Sequence, residues 1–425
     1  MPSKLTTLAV VLGLGLVGSV RAAAQGLPTS RPEDVGLSSA ALGRIAPALQ
    51  NYVDSGKLAG VVGVVARRGK VGYARAVGWM DAERQVPMRT DGVFRIYSMT
   101  KPIIAAGILK LVEQGKARLD DPVAKFVPAF AAVKVYAGGP ASAPAVKAPD
   151  GPITLTHLLT HTAGLTYGYF GETPVDSIYR QANLMPATRT VAEFADSLAR
   201  LPLAFSPGKA WNYSVSIDLL GRVIEVASGQ SLDRFLENEI FLPLGMRETG
   251  FRVRPDLAAR MPVLYSPGPD GRRRPNGPDM DDGYQLTSRF LSGGGGLLST
   301  PADYLRFAQM LLNGGELEGR RVLRRESVAL MTRNHLAPAL TPIDGAIIGH
   351  SGYGHGLGGV VLVDSARSGL PGLPGIYRWW GYAGTFFWVD PKSDLVGMVW
   401  TQLVPGRAYP LEQEFQRLVY SAIVR

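Results

Sequence analysis

Apolar residues recur at two periods along the chain, and the period changes where the architecture should change. Leu42, Ile45, Leu49 and Tyr52 or Val53 return at helical spacing, with Ser38-Ser39 placed to cap the run and Gly56 to end it. This predicts a helix over residues 39–53, with Pro47 as the place for a kink. Residues 61–79, VVGVVARRGKVGYARAVGW, are dense in β-branched side chains on both sides of Arg68-Gly69 and predict an antiparallel hairpin. Helical spacing then dominates residues 103–114, 155–161, 191–201, 217–228, 232–241 and 301–313. Strand-like runs return only at 359–363, 385–389 and 395–399, and an amphipathic helix at 412–424 closes the chain. Residues 135–152 and 266–283 carry neither period and are expected to be loops.

Strands at both ends with helices between them predict an α+β fold, an α/β sandwich. An antiparallel sheet flanked by helices would come from about 25–119 and 291–425, with a mainly helical domain inserted over about 120–290. The cleft between the two parts is the natural ligand site.

Composition narrows the setting. The 425 residues, 46% hydrophobic, are enough for a large core. The net charge of +10 is scattered, and its one tight cluster, Arg272-Arg273-Arg274, sits in a Pro/Gly-rich stretch, so nucleic acid is not an expected partner. Lys4, the apolar run 5–17 and Ala22-Ala23-Ala24 before Gln25 read as a signal peptide over residues 1–24. The run is shorter than the roughly 20 residues that span a bilayer, so cleavage without lasting membrane insertion, and a secreted or periplasmic protein, are expected. With no cysteine, disulfides, thiol catalysis and cysteine-bound zinc are excluded.

Tyr97-Ser98-Met99-Thr100-Lys101-Pro102 leads into a helical run, which places Ser98 at a helix N-terminus and Lys101 one turn later on the same face. Pro102 fits a first turn, where its missing N–H would have no partner. A lysine packed against a serine in a dry cleft loses proton affinity and can activate the hydroxyl, the logic of the Ser-x-x-Lys motif. The spacing alone is weak: Ser206-Pro207-Gly208-Lys209 repeats it, but its Pro-Gly turn cannot hold both side chains on one helical face.

Context raises the first copy. YSMTKP, ITLTHLLTHTAGL at 153–165, WNYSVSIDLLGRVIE at 211–225, FLPLGMRETGF at 241–251, SGGGGLLSTPADYLRF at 292–307 and WWGYAGTFFWVDP at 379–391 occur in order. Together they resemble the serine β-lactamase and penicillin-binding-protein superfamily, most closely the class C β-lactamase-like proteins and the family VIII carboxylesterases. The resemblance implies an acyl-enzyme on Ser98, with Lys101 and Tyr213 as the other catalytic residues and Tyr213 as general acid and base. Val215 stands where the family carries an asparagine. The third motif, Lys-Thr-Gly in lactamases, falls on Tyr382-Ala383-Gly384, preceded by Trp379-Trp380-Gly381, which resembles the Trp-Gly-Gly of the esterases. On that alignment Trp379, Tyr382 and Gly384 contact substrate, Gly384 allows close backbone approach, and the amides of Ser98 and Thr385 form the oxyanion hole. Tyr382 lacks the charge that anchors a lactam carboxylate, so a small-molecule ester is the expected substrate, with lactam or D-amino-acid peptide amides as the alternative and a non-catalytic receptor as a third reading.

Other chemistries fit less well. Gly349-His350-Ser351-Gly352-Tyr353 fails the Gly-x-Ser-x-Gly elbow at its last position. His157 and His161 share a helix face but have no glutamate between them and no third ligand, so no metal or other cofactor is expected. Glycines 293–296 lack the Gly-Lys-Ser/Thr of a phosphate loop and read as a tight turn. Tyr167, Tyr169 and Phe170 read as packing aromatics, with an acyl pocket as the other reading.

Overall fold

The computed structural model describes residues 26–277, 284, 288–343 and 351–424. The expected signal peptide, residues 278–283 of the second expected loop, and Gly349 and His350 lie outside them. Among the described residues, one antiparallel sheet has eight strands. Their order is Tyr353–His355, Val360–Leu362, Tyr377–Gly381, Thr385–Asp390, Leu395–Trp400, Gly60–Arg67, Lys70–Asp81 and Val86–Pro87. The two ends of the chain meet inside it, where Val62 pairs with Trp400 and Val64 with Met398. The fold is thus the α+β sandwich expected from the strand pattern.

Every residue of Thr385–Asp390 and Leu395–Trp400 is buried, because helices cover both faces. Successive side chains point to opposite layers. Trp388 packs 5.9 Å from Phe415 of the closing helix Leu411–Ser421, while its neighbour Phe387 packs 5.0 Å from Tyr304 of the helix Pro301–Leu312. Tyr52 of Ile45–Asp54 donates to Glu414 (2.7 Å), which joins that helix to the closing helix on one face. The other face carries Thr100–Glu113, hereafter the serine helix, tied to Pro301–Leu312 by the Tyr304 hydroxyl on the Met99 carbonyl (2.9 Å). The helix Ser216–Ser228, hereafter the tyrosine helix, crosses the serine helix at Gly107, where a Cβ would lie 3.2 Å from Ile224. None of the described helices is long and apolar enough to cross a membrane.

Four local expectations change. The helix over 39–53 is two helices, Ser39–Leu42 and Ile45–Asp54, broken at Gly43-Arg44. Pro47 falls in the first turn of the second helix, where its ring costs no hydrogen bond, so it introduces no kink. Residues 135–152 contain a short ribbon, Val135–Gly138 on Ala145–Lys147, and a second ribbon pairs Tyr265–Pro267 with Arg273–Pro275. Both are too short and too exposed to carry a hydrophobic alternation. The strand Tyr377–Gly381 and the helices Pro174–Ala182 and Arg325–Met331 also escape the periodicity.

Gly397 sets the closeness of the sheet to its own side chains: a Cβ there would lie 2.2 Å from the buried indole of Trp388. Gly397→Ala should therefore destabilise the protein by about 1–3 kcal/mol through overpacking, seen as a lower urea midpoint. An unchanged midpoint would mean that the indole can swing away.

Candidate active site

Three separate segments converge on one oxygen atom. The short pair Phe94–Arg95 with Leu298–Ser299 delivers the chain to Tyr97, which takes a left-handed φ of 41°. Such backbone is strained for a residue with a Cβ, and here it turns the chain sharply before the serine helix. Ser98 sits in the single 3-10 turn Tyr97–Met99, half-buried, and Lys101 follows in the first turn of the helix. Lys101 Nζ donates to Ser98 Oγ (2.9 Å) and to the Gly294 carbonyl (2.6 Å). The Tyr213 hydroxyl donates to the same Ser98 Oγ at 2.7 Å.

Tyr213 lies just ahead of the tyrosine helix, in a segment pinned by Asn212: its N–H reaches the His161 carbonyl and its amide the Leu165 carbonyl, both at 2.9 Å. Val215 is the N-cap of that helix and is buried, so this position offers no polar side chain.

Burial governs the charges. Lys101 is 0% exposed, and loss of water lowers its pKa to about 7, with Asp218 opposing the shift. Burial also raises the Tyr213 phenol, against the favourable hydrogen bond to Ser98. Near neutral pH the amine is thus poised between its two forms, while the phenol keeps its proton.

The strand Tyr377–Gly381 forms the opposite wall. Trp379 is fully buried, with its ring 5.8 Å from Tyr213 and 6.5 Å from His161. Gly381 allows the strand to reach the serine turn: a Cβ there would lie 2.3 Å from the Ile96 carbonyl. Gly384 does not have this role. With φ 79° it completes the turn after the strand, and its missing Cβ faces Thr401 and Gly406. Thr385 is corrected for the same reason. It pairs with Gly381 on one side and Trp400 on the other, so its backbone is enclosed in the sheet, and its hydroxyl donates to the Ile96 carbonyl (3.3 Å). An inner strand has no edge to offer an oxyanion. The open edge belongs to Trp379–Trp380–Gly381, because the outer neighbour of that strand pairs only with Tyr377 and Arg378. The residues that face the serine turn are therefore those of Trp379-Trp380-Gly381, three residues before the position expected for the third motif. Tyr382 lies at the lip, 46% exposed, with its ring 6.1 Å from Tyr97.

The roles of Gly294 and Asp218 were not anticipated, and Tyr167, expected as a packing or acyl-pocket aromatic, joins them in one network. Gly294 accepts from Lys101; Asp218 accepts from the Gly294 N–H (2.9 Å) and the Ser292 hydroxyl; and Tyr167 donates to Asp218 (3.4 Å) with its ring 5.1 Å from Tyr213. The available signal for Asp218 was a charge set between Ile217 and Leu219-Leu220 in the first turn of a largely apolar helical run. Phe170 stands 5.7 Å from Tyr213 and half exposed, whereas Tyr169 points outward, 62% exposed. His157 accepts from the Thr154 N–H within a capping box, and the Nδ1 of His161 meets Ser214, so the two imidazoles serve different contacts. In the second Ser-x-x-Lys, Ser206 accepts from the Asp150 N–H and Lys209 pairs with the Asp150 carboxylate, so the two side chains are engaged by Asp150.

Comparison with known proteins agrees with this geometry. The family model described as Beta-lactamase matches residues 45–420. Esterase EstB of Burkholderia gladioli is 32% identical over 386 residues, covering 86% of this chain and 91% of that protein. Protein Rv1367c of Mycobacterium tuberculosis is 35% identical over 367 residues, with 84% and 89% covered. Among solved structures, EstCE1, a hydrolase with promiscuous acyltransferase activity, superposes with a TM-score of 0.78 at 27% identity, covering 89% of this chain and 98% of its own. The chain belongs to the Beta-lactamase family and is a serine hydrolase of that fold.

Proposed function

We propose that this serine hydrolase cleaves neutral carboxylic esters through an acyl-enzyme on Ser98. The observation that carries the reading is the double hydrogen bond on Ser98 Oγ, from an amine poised near neutrality and from a phenol that stays protonated. Lys101 in its neutral form takes the serine proton as Oγ attacks the ester carbonyl. The tetrahedral oxyanion is held by the amides of Ser98 and Tyr382, the latter being the first residue past the open edge of the tryptophan strand. The alcohol leaves with the Tyr213 proton, Lys101 returns its proton to Tyr213, and water then releases the acid.

Ester over lactam is supported by Trp379. It fills the back of the wall facing Tyr213 without offering a cation, and the Arg407 guanidinium stacked on the adjacent Trp380 is engaged by Glu412, so a lactam carboxylate desolvated there would have to compete for its counter-charge. Relatives named as esterases support the same choice: EstB, and Lovastatin esterase of Penicillium rubens at 30% identity. The Monacolin J acid methylbutanoyltransferase of Aspergillus terreus, at 28% identity, supports transfer to an alcohol acceptor as a second outcome of the same acyl-enzyme. Export of the mature chain is part of the proposal, supported by Lys4, the apolar run and Ala22-Ala23-Ala24.

Ser98→Ala should lower turnover of a short p-nitrophenyl ester by at least about a thousandfold while leaving the melting temperature in place. Intact-mass measurement should find an ester-derived acyl adduct on the parent protein alone. Rapid hydrolysis of a cephalosporin, with little ester turnover, would move the protein to the lactamase side; no adduct with either compound would favour a receptor.

The rate at which a fluorophosphonate labels Ser98 should rise with pH through about 7, because only the unprotonated Lys101 amine can take the serine proton. A rate that stays flat between about pH 5 and 9 would remove Lys101 as the base. Tyr213→Phe should cut kcat by roughly a hundredfold with little change in KM.

A further inference from the structure

Asp218 is buried in the first turn of the tyrosine helix, and no step above uses it. Its carboxylate gathers the Ser292 hydroxyl, the Gly294 N–H at 2.9 Å and the Tyr167 hydroxyl at 3.4 Å. Two of these donors belong to the glycine turn 292–296, which the nucleophile chemistry had not absorbed. Contact explains its glycines. A Cβ at Gly293 would lie 2.6 Å from the Ile217 carbonyl, and one at Gly294 would lie 2.2 Å from Asp218 Oδ2. The turn rests directly on the start of the tyrosine helix. Gly294 is consequently committed at both of its backbone groups, its N–H to Asp218 and its carbonyl to Lys101.

We infer that Asp218 is a positioning residue, which holds the Lys101 amine against Ser98 Oγ through the Gly294 backbone. The inference rests on the base role proposed for Lys101. A second consequence is electrostatic. The other ionisable groups around the amine among the described residues are Tyr213 and Tyr167, whose rings lie 4.7 and 5.4 Å from Nζ, and His161, which burial keeps neutral. The Asp218 carboxylate thus supplies the negative charge that favours the protonated amine. Removing that charge while keeping the shape favours the free amine, and the pH at which Ser98 becomes reactive moves down.

Asp218→Asn, Ser292→Ala and the parent protein would be compared by ester kinetics and by the pH dependence of fluorophosphonate labelling. Asp218→Asn should lose kcat by on the order of a hundredfold with KM nearly unchanged, as a displaced catalytic group does, and should shift the labelling midpoint below that of the parent. Ser292→Ala keeps the charge but loosens the turn, so it should lose kcat without the downward shift. Parental kcat and midpoint in a folded Asp218→Asn would overturn the inference. If that variant does not fold, parental kcat in Ser292→Ala would overturn it instead. A parent protein that neither turns over ester nor reacts with the fluorophosphonate would sink the hydrolase mechanism itself, a separate result.

Discussion

Removing one lysine amine from water is the constraint around which the rest is arranged. Lys101 has no exposed surface, and a desolvated ammonium costs several kcal/mol unless acceptors replace its water. The replacements come from near and far in the chain: Ser98 from the turn just ahead of the helix, the Gly294 carbonyl from a turn nearly two hundred positions later, and the rings of Tyr213 and Tyr167. Apart from Ser98, which is local, these groups reach the amine only when the distant segments that carry them are packed on the serine helix. The lowered proton affinity of the amine is therefore a property of the whole fold, even though serine and lysine are neighbours in sequence.

The sheet contributes rigidity and one open edge. Strands packed on both faces cannot shift without disturbing two helical layers, so Trp379 and Gly381 are held at a fixed distance from the serine turn. The outer neighbour of that strand stops at Arg378, which leaves the outer side of the backbone beyond it without a strand partner among the described residues, while the inner side pairs with Thr385–Phe387. A strand with a partner on each side, such as Thr385–Asp390, has no such freedom. This difference between an inner strand and an interrupted edge decides which amide is open to a reacting oxygen.

Legibility in the sequence follows the range of each interaction. The hairpin at Arg68-Gly69 and the pairing of Ser98 with Lys101 are local, and both are plain in the residue pattern. Tyr213 is 115 positions from Ser98 and could be reached only through its resemblance to a known motif. Gly381, which ends its strand, and Gly384, in the turn after it, are only three residues apart, and the pattern cannot tell which of them faces the Ile96 carbonyl. Asp218 was missed because an acid in the first turn of a helix is ordinarily explained by the helix dipole. The glycine turn was correctly read as a turn, yet its reason lies in contact with Asp218, 76 positions away. Such a contact leaves no periodic trace.

On the proposed reading, the same desolvation that tunes Lys101 also selects the substrate. The described rings around the cleft, Tyr97, Tyr167, Phe170, Tyr213, Trp379 and Tyr382, offer apolar faces and hydroxyls, and the Arg407 guanidinium stacked on Trp380 is already engaged by Glu412. A ligand carboxylate brought against these rings would lose its water and would have to draw Arg407 from Glu412 for a counter-charge, and its negative field would favour protonation of Lys101, the form that cannot act as base. A neutral ester imposes neither penalty. Charge in the ligand thus weakens binding and disarms the base together, so that discrimination between ester and anionic lactam would appear in kcat as well as in KM.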